Sequence, residues 1–235
     1  MIDPKGDNPG DRIRQRILFM RHPETVANTE RFFSGRMDVA LTPAGVAQRE
    51  RAVEALVAFS PERIFTSPLS RAHDMAQMAA ERLGVECVDL EDLIEIDFGP
   101  MENVNTTKAR ELGFKFPWPI VDGVSQPPEG AESFEQVRDR ARAVVDTLLP
   151  LDGRTACITH GGFLRMLTAV AYDIPLDRFW DFSIFNVSSL FYTCDGTRIS
   201  LAGFNMSPED IIEHCTKPNP YDTRNVWGFG RKDLA

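Results

Sequence analysis

Short apolar runs of strand length alternate along this chain with longer segments of helical period, and this alternation narrows the possible folds more than any other feature. The first strand is expected over 16–20. It is followed by LTPAGVAQRERAVEALVAF, where Thr42 is placed to cap a helix that has Pro43 at its first position and Val46, Val53, Leu56 and Val57 near one face. RIFTS (63–67) reads as a second strand, 70–83 as a helix stopped by Gly84, and VECVDL (85–90) as a third strand. Ser133 and Gln136 have capping-box spacing, and Phe134, Val137, Ala141, Val144, Val145 and Leu148 then keep helical period. TACIT (155–159) is a fourth buried strand, and His160-Gly161-Gly162 leads into another apolar helix. SLFYTC-DG-TRISLAGF reads as a hairpin with Asp195-Gly196 as a two-residue turn. The order implies an α/β fold: a three-layer sandwich with a mostly parallel sheet, an antiparallel edge and helices on both faces.

At 235 residues and 43% hydrophobic content the chain can bury one sizeable core. The expected division is a polar leader over 1–15, one domain over 16–204 with a lid insertion at about 103–132, and a tail over 205–235. A formal charge of −9 argues against nucleic acid as a partner, so positive charge for an anionic ligand must come from a few placed arginines. Cys87, Cys157, Cys194 and Cys215 lack C-x-x-C spacing and read as reduced thiols, with Cys157 as core packing. None begins the C-x5-R loop of a cysteine phosphatase. No apolar run is long enough to span a bilayer, and the leader does not read as a secretory signal. The expectation is a cytoplasmic protein without a membrane partner; its oligomeric state is left open, a homodimer included.

Ligands of open parallel sheets bind beyond the carboxyl ends of the strands. The first strand delivers Arg21 and His22 to that edge, and the second is followed by TSPLSRA with Arg71. LIEIDFG with Glu95 follows the third, and the fourth delivers His160. Two guanidiniums can hold phosphoryl oxygens by charge-assisted hydrogen bonds, and a neutral imidazole can attack phosphorus. A second imidazole can stabilise the developing charge, while a carboxyl group protonates the leaving oxygen. Spacing alone does not choose among Glu95, Asp97 and Glu102 for that acid. His73, in the first turn of a helix, and His214, in the tail, read as exposed residues outside the chemistry.

From about residue 17 to 204 the chain resembles the histidine phosphatase superfamily, which includes the cofactor-dependent phosphoglycerate mutases. RHPETVAN stands against the family's R-H-G-E-[ST]-x-x-N, and SGRMDVALTPAG, TSPLSRA, LIEIDFGPMEN and THGGFLR follow in the family's order. The resemblance implies His22 as phosphohistidine nucleophile and Glu95 as proton donor and then base. It implies a phosphate pocket from Arg21, Arg71, His160 and Asn28, with Ser34, Gly35 and Gly161 as further substrate contacts, and no cofactor or metal. Two positions depart from the pattern. Pro23 replaces the glycine, and GPMEN stands where the family has a tryptophan and a glycine beside the glutamate.

The implied reaction is metal-independent hydrolysis of a small soluble phosphate ester, the one partner expected. Its rivals are a mutase on the same site and a non-catalytic phospholigand-binding protein. Between 103 and 132, Lys108, Arg110 and Lys115 face Glu111, Asp122, Glu129 and Glu132, a poor clamp for a bisphosphate. The long basic insertion of typical mutases in this superfamily is also missing. FKFPWP offers Phe114, Phe116 and Trp118 either as pocket walls or as packing; as walls they suit one phosphate on a less polar body.

Overall fold

In the computed structural model, which describes residues 13–217 and Val226, six strands form the main sheet. They are β1 (Gln15–Arg21), β2 (Arg63–Thr66), β3 (Cys87–Asp89), β6 (Gly153–Thr159), β7 (Ser189–Cys194) and β8 (Ile199–Met206); β4 (Ile120–Val121) and β5 (Val124–Ser125) make a separate small hairpin. The helices are α1 (Val26–Glu30), α2 (Pro43–Phe59), α3 (Ser70–Leu83), α4 (Thr106–Glu111), α5 (Phe134–Leu148), α6 (Gly161–Tyr172) and α7 (Pro208–Thr216).

The sheet order is β3-β2-β6-β1-β7-β8. The first four strands are parallel, and the β7–β8 pair closes one edge in antiparallel pairing. Because side chains alternate, β1 sends Ile17 and Phe19 into one core and Leu18 and Met20 into the other. The first core lies under α5 and α6 and the second under α2, α3 and α7, giving helices on both faces.

Local signals hold closely. Thr42 accepts a hydrogen bond from the Gly45 N–H, Ser133 and Gln136 form their capping box, and Gly84 ends α3 in the left-handed region. Three readings change. Val46 is exposed, and α2 turns Ala52, Val53, Ala55, Leu56 and Phe59 inward instead. The β7–β8 turn has four residues, because the Asp195 carboxylate draws in the N–H groups of Thr197 and Arg198 as an Asx turn. The segment read as a tail continues the fold, with Met206 ending β8 and α7 burying Ile211 and Cys215 in the second core. His214 therefore lies on a helix, its Nδ1 2.7 Å from the Asp210 carbonyl. Most of the leader and the end of the tail (1–12, 218–225, 227–235) lie outside the described residues. Among the described residues no helix is long and apolar enough to cross a membrane.

Candidate active site

The carboxyl ends of β1, β2 and β6 stop level with one another. Arg21 pairs with Thr159 and Thr66 with Ile158, and the ladder runs on as the N–H groups of His22 and Ser67 donate to the carbonyls of Thr159 and Ile158. His22, His160 and Ser67 are thereby carried side by side onto one sheet edge. The rings of His22 and His160 stand 5.2 Å apart, centre to centre, and both residues are buried. Beyond them opens a cavity of about 320 Å³ whose lining includes Arg21, His22, Asn28, Ser34, Glu95, Gly161 and Arg165.

The His22 Nδ1–H donates to the Pro23 carbonyl at 2.7 Å, which leaves Nε2 as the nitrogen facing the cavity. This bond uses the carbonyl of residue 23 and no N–H, so proline in place of glycine removes nothing from it. Burial above all, then the guanidiniums of Arg71 and Arg21, hold His22 well below the ordinary histidine range. Burial and the charge of Arg71 do the same to His160. A neutral His22 has the lone pair a nucleophile needs.

Arg21 gives Nη1–H to the Ile184 carbonyl at 2.7 Å, while its buried Nε has no hydrogen-bond partner among the described residues. Burial pushes its pKa down to about 10, partly offset by Glu95. A buried N–H without an acceptor is costly, and a bound oxyanion would satisfy it. Asn28 accepts from the Thr25 N–H, the Thr25 hydroxyl and the Asn186 amide through Oδ1, so its own NH₂ is the group left for a ligand.

The structure separates the three carboxylates. Glu95 lines the cavity and sits on the start of α6, accepting from the N–H groups of Gly162 and Phe163 at 3.0 Å each and from Ile96 at 2.9 Å. Glu102 instead accepts from the N–H groups of Gly35, Arg36 and Phe98, and Asp97 accepts from Gly99 and faces Arg36. Both tie loops together away from the cavity.

Three expected ligand contacts stand differently. Arg71 is buried behind the cavity, with four of its five N–H groups on the carbonyls of Ser34, Gly35 and Met37 and on His160 Nδ1. It places a fixed positive charge beside both histidines and keeps one N–H free of these bonds. Since His160 Nδ1 accepts from Arg71, Nε2 carries the proton toward Ser67 Oγ at 2.7 Å, and both ring nitrogens are engaged within the protein. Gly35 does not line the cavity: its N–H goes to Glu102 and its carbonyl to Arg71. It must be glycine for a packing reason, since a Cβ there would stand 2.0 Å from the Ile96 carbonyl oxygen.

The fold adds residues that sequence reading passed over. Asn186 donates to the carbonyl of His22 and to Asn28, bracing nucleophile and pocket together, and the next residue, Val187, takes φ 51°, rare for a β-branched side chain. Its signal was faint: one asparagine in the apolar run before β7. Arg165, the final residue of THGGFLR, lies one turn beyond Gly161 and binds that residue's carbonyl and that of Phe182. Of Phe114, Phe116 and Trp118 only Phe116 lines the cavity. Trp118 is buried with its N–H on the Glu132 carbonyl, and Phe114 packs against the first core.

Comparison with known proteins places this geometry among relatives. Residues 17–207 match the sequence profile of the histidine phosphatase superfamily (branch 1). A "Bifunctional protein" of Mycobacterium tuberculosis is 32% identical over 165 residues, covering 67% of this chain and 44% of its own length, so the chain spans less than half of that relative. "Phosphoglycerate mutase-like protein 4" of Arabidopsis thaliana is 32% identical over 64% of this chain and 68% of its own. The solved structure of a mycobacterial glucosyl-3-phosphoglycerate phosphatase in complex with VO3 superposes with a TM-score of 0.73 at 26% identity, covering 83% of this chain and all of that one.

Proposed function

The chain belongs to the histidine phosphatase superfamily, branch 1, and from that premise we propose that it is a metal-independent phosphomonoesterase working through a phosphohistidine on His22. The observation that carries the reading is the state of His22. It is buried, held neutral, fixed by its Nδ1–H on Pro23, and turns Nε2 to a cavity that also holds an unpartnered Arg21 N–H and the Glu95 carboxyl group.

The phosphoryl group lies against Arg21 Nε and the Asn28 NH₂. His22 Nε2 forms the bond to phosphorus as the ester oxygen leaves, and that oxygen takes the proton of Glu95, which enters the step protonated and leaves it as the carboxylate. The positive charge arising on the ring is stabilised by the Nδ1–H···O=C bond to Pro23. In the second half Glu95 takes a proton from water, the water oxygen attacks phosphorus, and the P–N bond breaks to release phosphate and neutral His22. Arg71 contributes its charge from behind the histidines, which strengthens phosphate binding without adding bulk to the cavity.

Hydrolysis is favoured over mutase chemistry by the disposition of the lid charges. Lys108 is paired with Glu111, and Glu132 is held by Arg140 and Arg36 as a brace between α5 and the loop at residue 36. Of residues 103–132 only Thr106 and Phe116 line the cavity, so Lys108, Arg110 and Lys115 are not placed to clamp a second phosphate. The test is rapid-quench labelling with a ³²P-ester: the wild type should carry acid-labile, base-stable phosphate, and His22→Ala should carry none and show no turnover. Rapid interconversion of 2- and 3-phosphoglycerate that depends on 2,3-bisphosphoglycerate, with negligible phosphate release, would overturn hydrolysis while keeping the nucleophile. A fully active His22→Ala would end the reading.

A further inference from the structure

One wall of the cavity is a continuous surface of aromatic carbon. Phe33, Phe98, Phe116 and Trp180 all line it. Phe116 is the centre of the group, edge-on to Phe33 at 5.4 Å, to Phe98 at 5.2 Å and to Trp180 at 4.7 Å. The rings are braced by Trp118 and Phe179, which do not line the cavity, and by Arg165, which does. Buried Trp118 stands 4.8 Å from Phe116, Phe179 lies 5.4 Å from Trp180, and the Arg165 guanidinium carbon sits 4.3 Å over the Trp180 ring. Arg165 is itself fixed by the carbonyls of Phe182 and Gly161. The wall is therefore formed before any ligand arrives, and binding need not order it.

The same cavity is lined by polar side chains, Arg21, His22, Asn28 and Glu95 at the reacting end and Arg31, Ser34, Thr106 and Arg165 besides. A phosphomonoester seated on His22 must direct its alcohol portion into the rest of a cavity of about 320 Å³. There the phenylalanine rings offer no hydrogen-bond partner. A body rich in hydroxyls would lose water on that side without replacement, whereas an apolar or aromatic body would gain.

Resting on the phosphatase reading above, we propose that the substrate is a phosphomonoester whose alcohol portion is aromatic or aralkyl and packs on the wall made by Phe33, Phe98, Phe116 and Trp180. The reacting end supplies the chemistry and the wall supplies the selectivity.

The test uses three primary-alcohol esters whose leaving groups differ little in basicity: propyl phosphate, 3-phenylpropyl phosphate and sn-glycerol 3-phosphate. For the wild-type chain, kcat/KM for the phenylpropyl ester should exceed that for the propyl ester by about 30-fold, the scale of burying one phenyl ring. The glycerol ester should fall at or below the propyl ester. Phe116→Ala should lower the phenylpropyl-to-propyl ratio by roughly tenfold; being a ratio within one preparation, it is insensitive to loss of folded protein. Phe116→Leu, which keeps an apolar side chain, gives the same readout if the alanine variant does not fold.

Equal kcat/KM for the propyl and phenylpropyl esters, or a preference for the glycerol ester, would overturn the proposal. Binding of the intact esters to His22→Ala, measured by calorimetry, separates the wall from the chemistry. Tighter binding of the phenylpropyl ester there, with no wild-type hydrolysis of any ester, would sink the phosphatase reading and keep the wall. Equal affinities would sink the wall.

Discussion

Gly162→Ala tests the role given to Glu95 without touching Glu95 itself. Gly162 is the second residue of α6, and its N–H is one of three that hold the carboxylate. A Cβ built there lies 2.6 Å from Glu95 Oε1 and 2.9 Å from Ile96 Cδ1. Ordinary van der Waals contact begins near 3.4 Å, so the carboxylate must retreat by about 0.8 Å. Displacements near 1 Å cost on the order of 10²-fold when a proton must pass in the transition state. The fold should absorb the change: alanine gains up to about 1 kcal/mol over glycine within a helix, against weakened hydrogen bonds worth about 1 kcal/mol each.

The assay is kcat/KM for two esters of unlike leaving groups, because this constant reports events only through formation of the phosphohistidine. A simple alkyl phosphate needs its leaving oxygen protonated and should lose about 100-fold. 4-Nitrophenyl phosphate expels a stabilised phenolate and should lose less than about tenfold. Equal losses on both esters would show that Gly162→Ala acts through the general shape of the pocket. An undiminished rate on both would show that Glu95 does not deliver the proton.

Three further outcomes are expected. With His22 and His160 both buried neutral, the unfolded state binds more protons than the native one below the ordinary histidine pKa of about 6.5. Stability should therefore fall as pH drops below about 6.5, by up to about 1.4 kcal/mol per pH unit for each histidine, seen as a falling urea midpoint; a midpoint flat between pH 7.5 and 5.5 would contradict their burial as neutral rings. EDTA should leave the rate unchanged and vanadate should inhibit more tightly than inorganic phosphate, since Arg21 and His22 face a site for a five-coordinate oxyanion; strict dependence on magnesium or zinc would be the contrary result. Pro23→Gly keeps the carbonyl that His22 uses, so kcat/KM should stay within about tenfold, and a large gain would show that proline distorts the native site.

What the sequence determined by itself was short in range. Capping and turn residues such as Thr42, Ser133 and Gly84 act within one turn, and alternation along ILFM sorts neighbouring side chains between two cores, so elements and layers could be read without knowing their partners. The delivery of Arg21, His22 and His160 to strand ends was legible for the same reason: a strand's last residue is a local fact. Tertiary structure alone decided what each side chain meets. That Glu95, and neither Asp97 nor Glu102, lines the cavity depends on which carboxylate lies under the start of α6, a helix that begins 66 residues after it. The bonds of Arg71 to the loop at 34–37 and of Asn186 to His22, and the entry of Phe116 but not Trp118 into the cavity, are contacts between distant segments. Hydrogen bonds and ring contacts form where the packed layers bring atoms within a few ångströms, and periodicity in one dimension does not encode those distances.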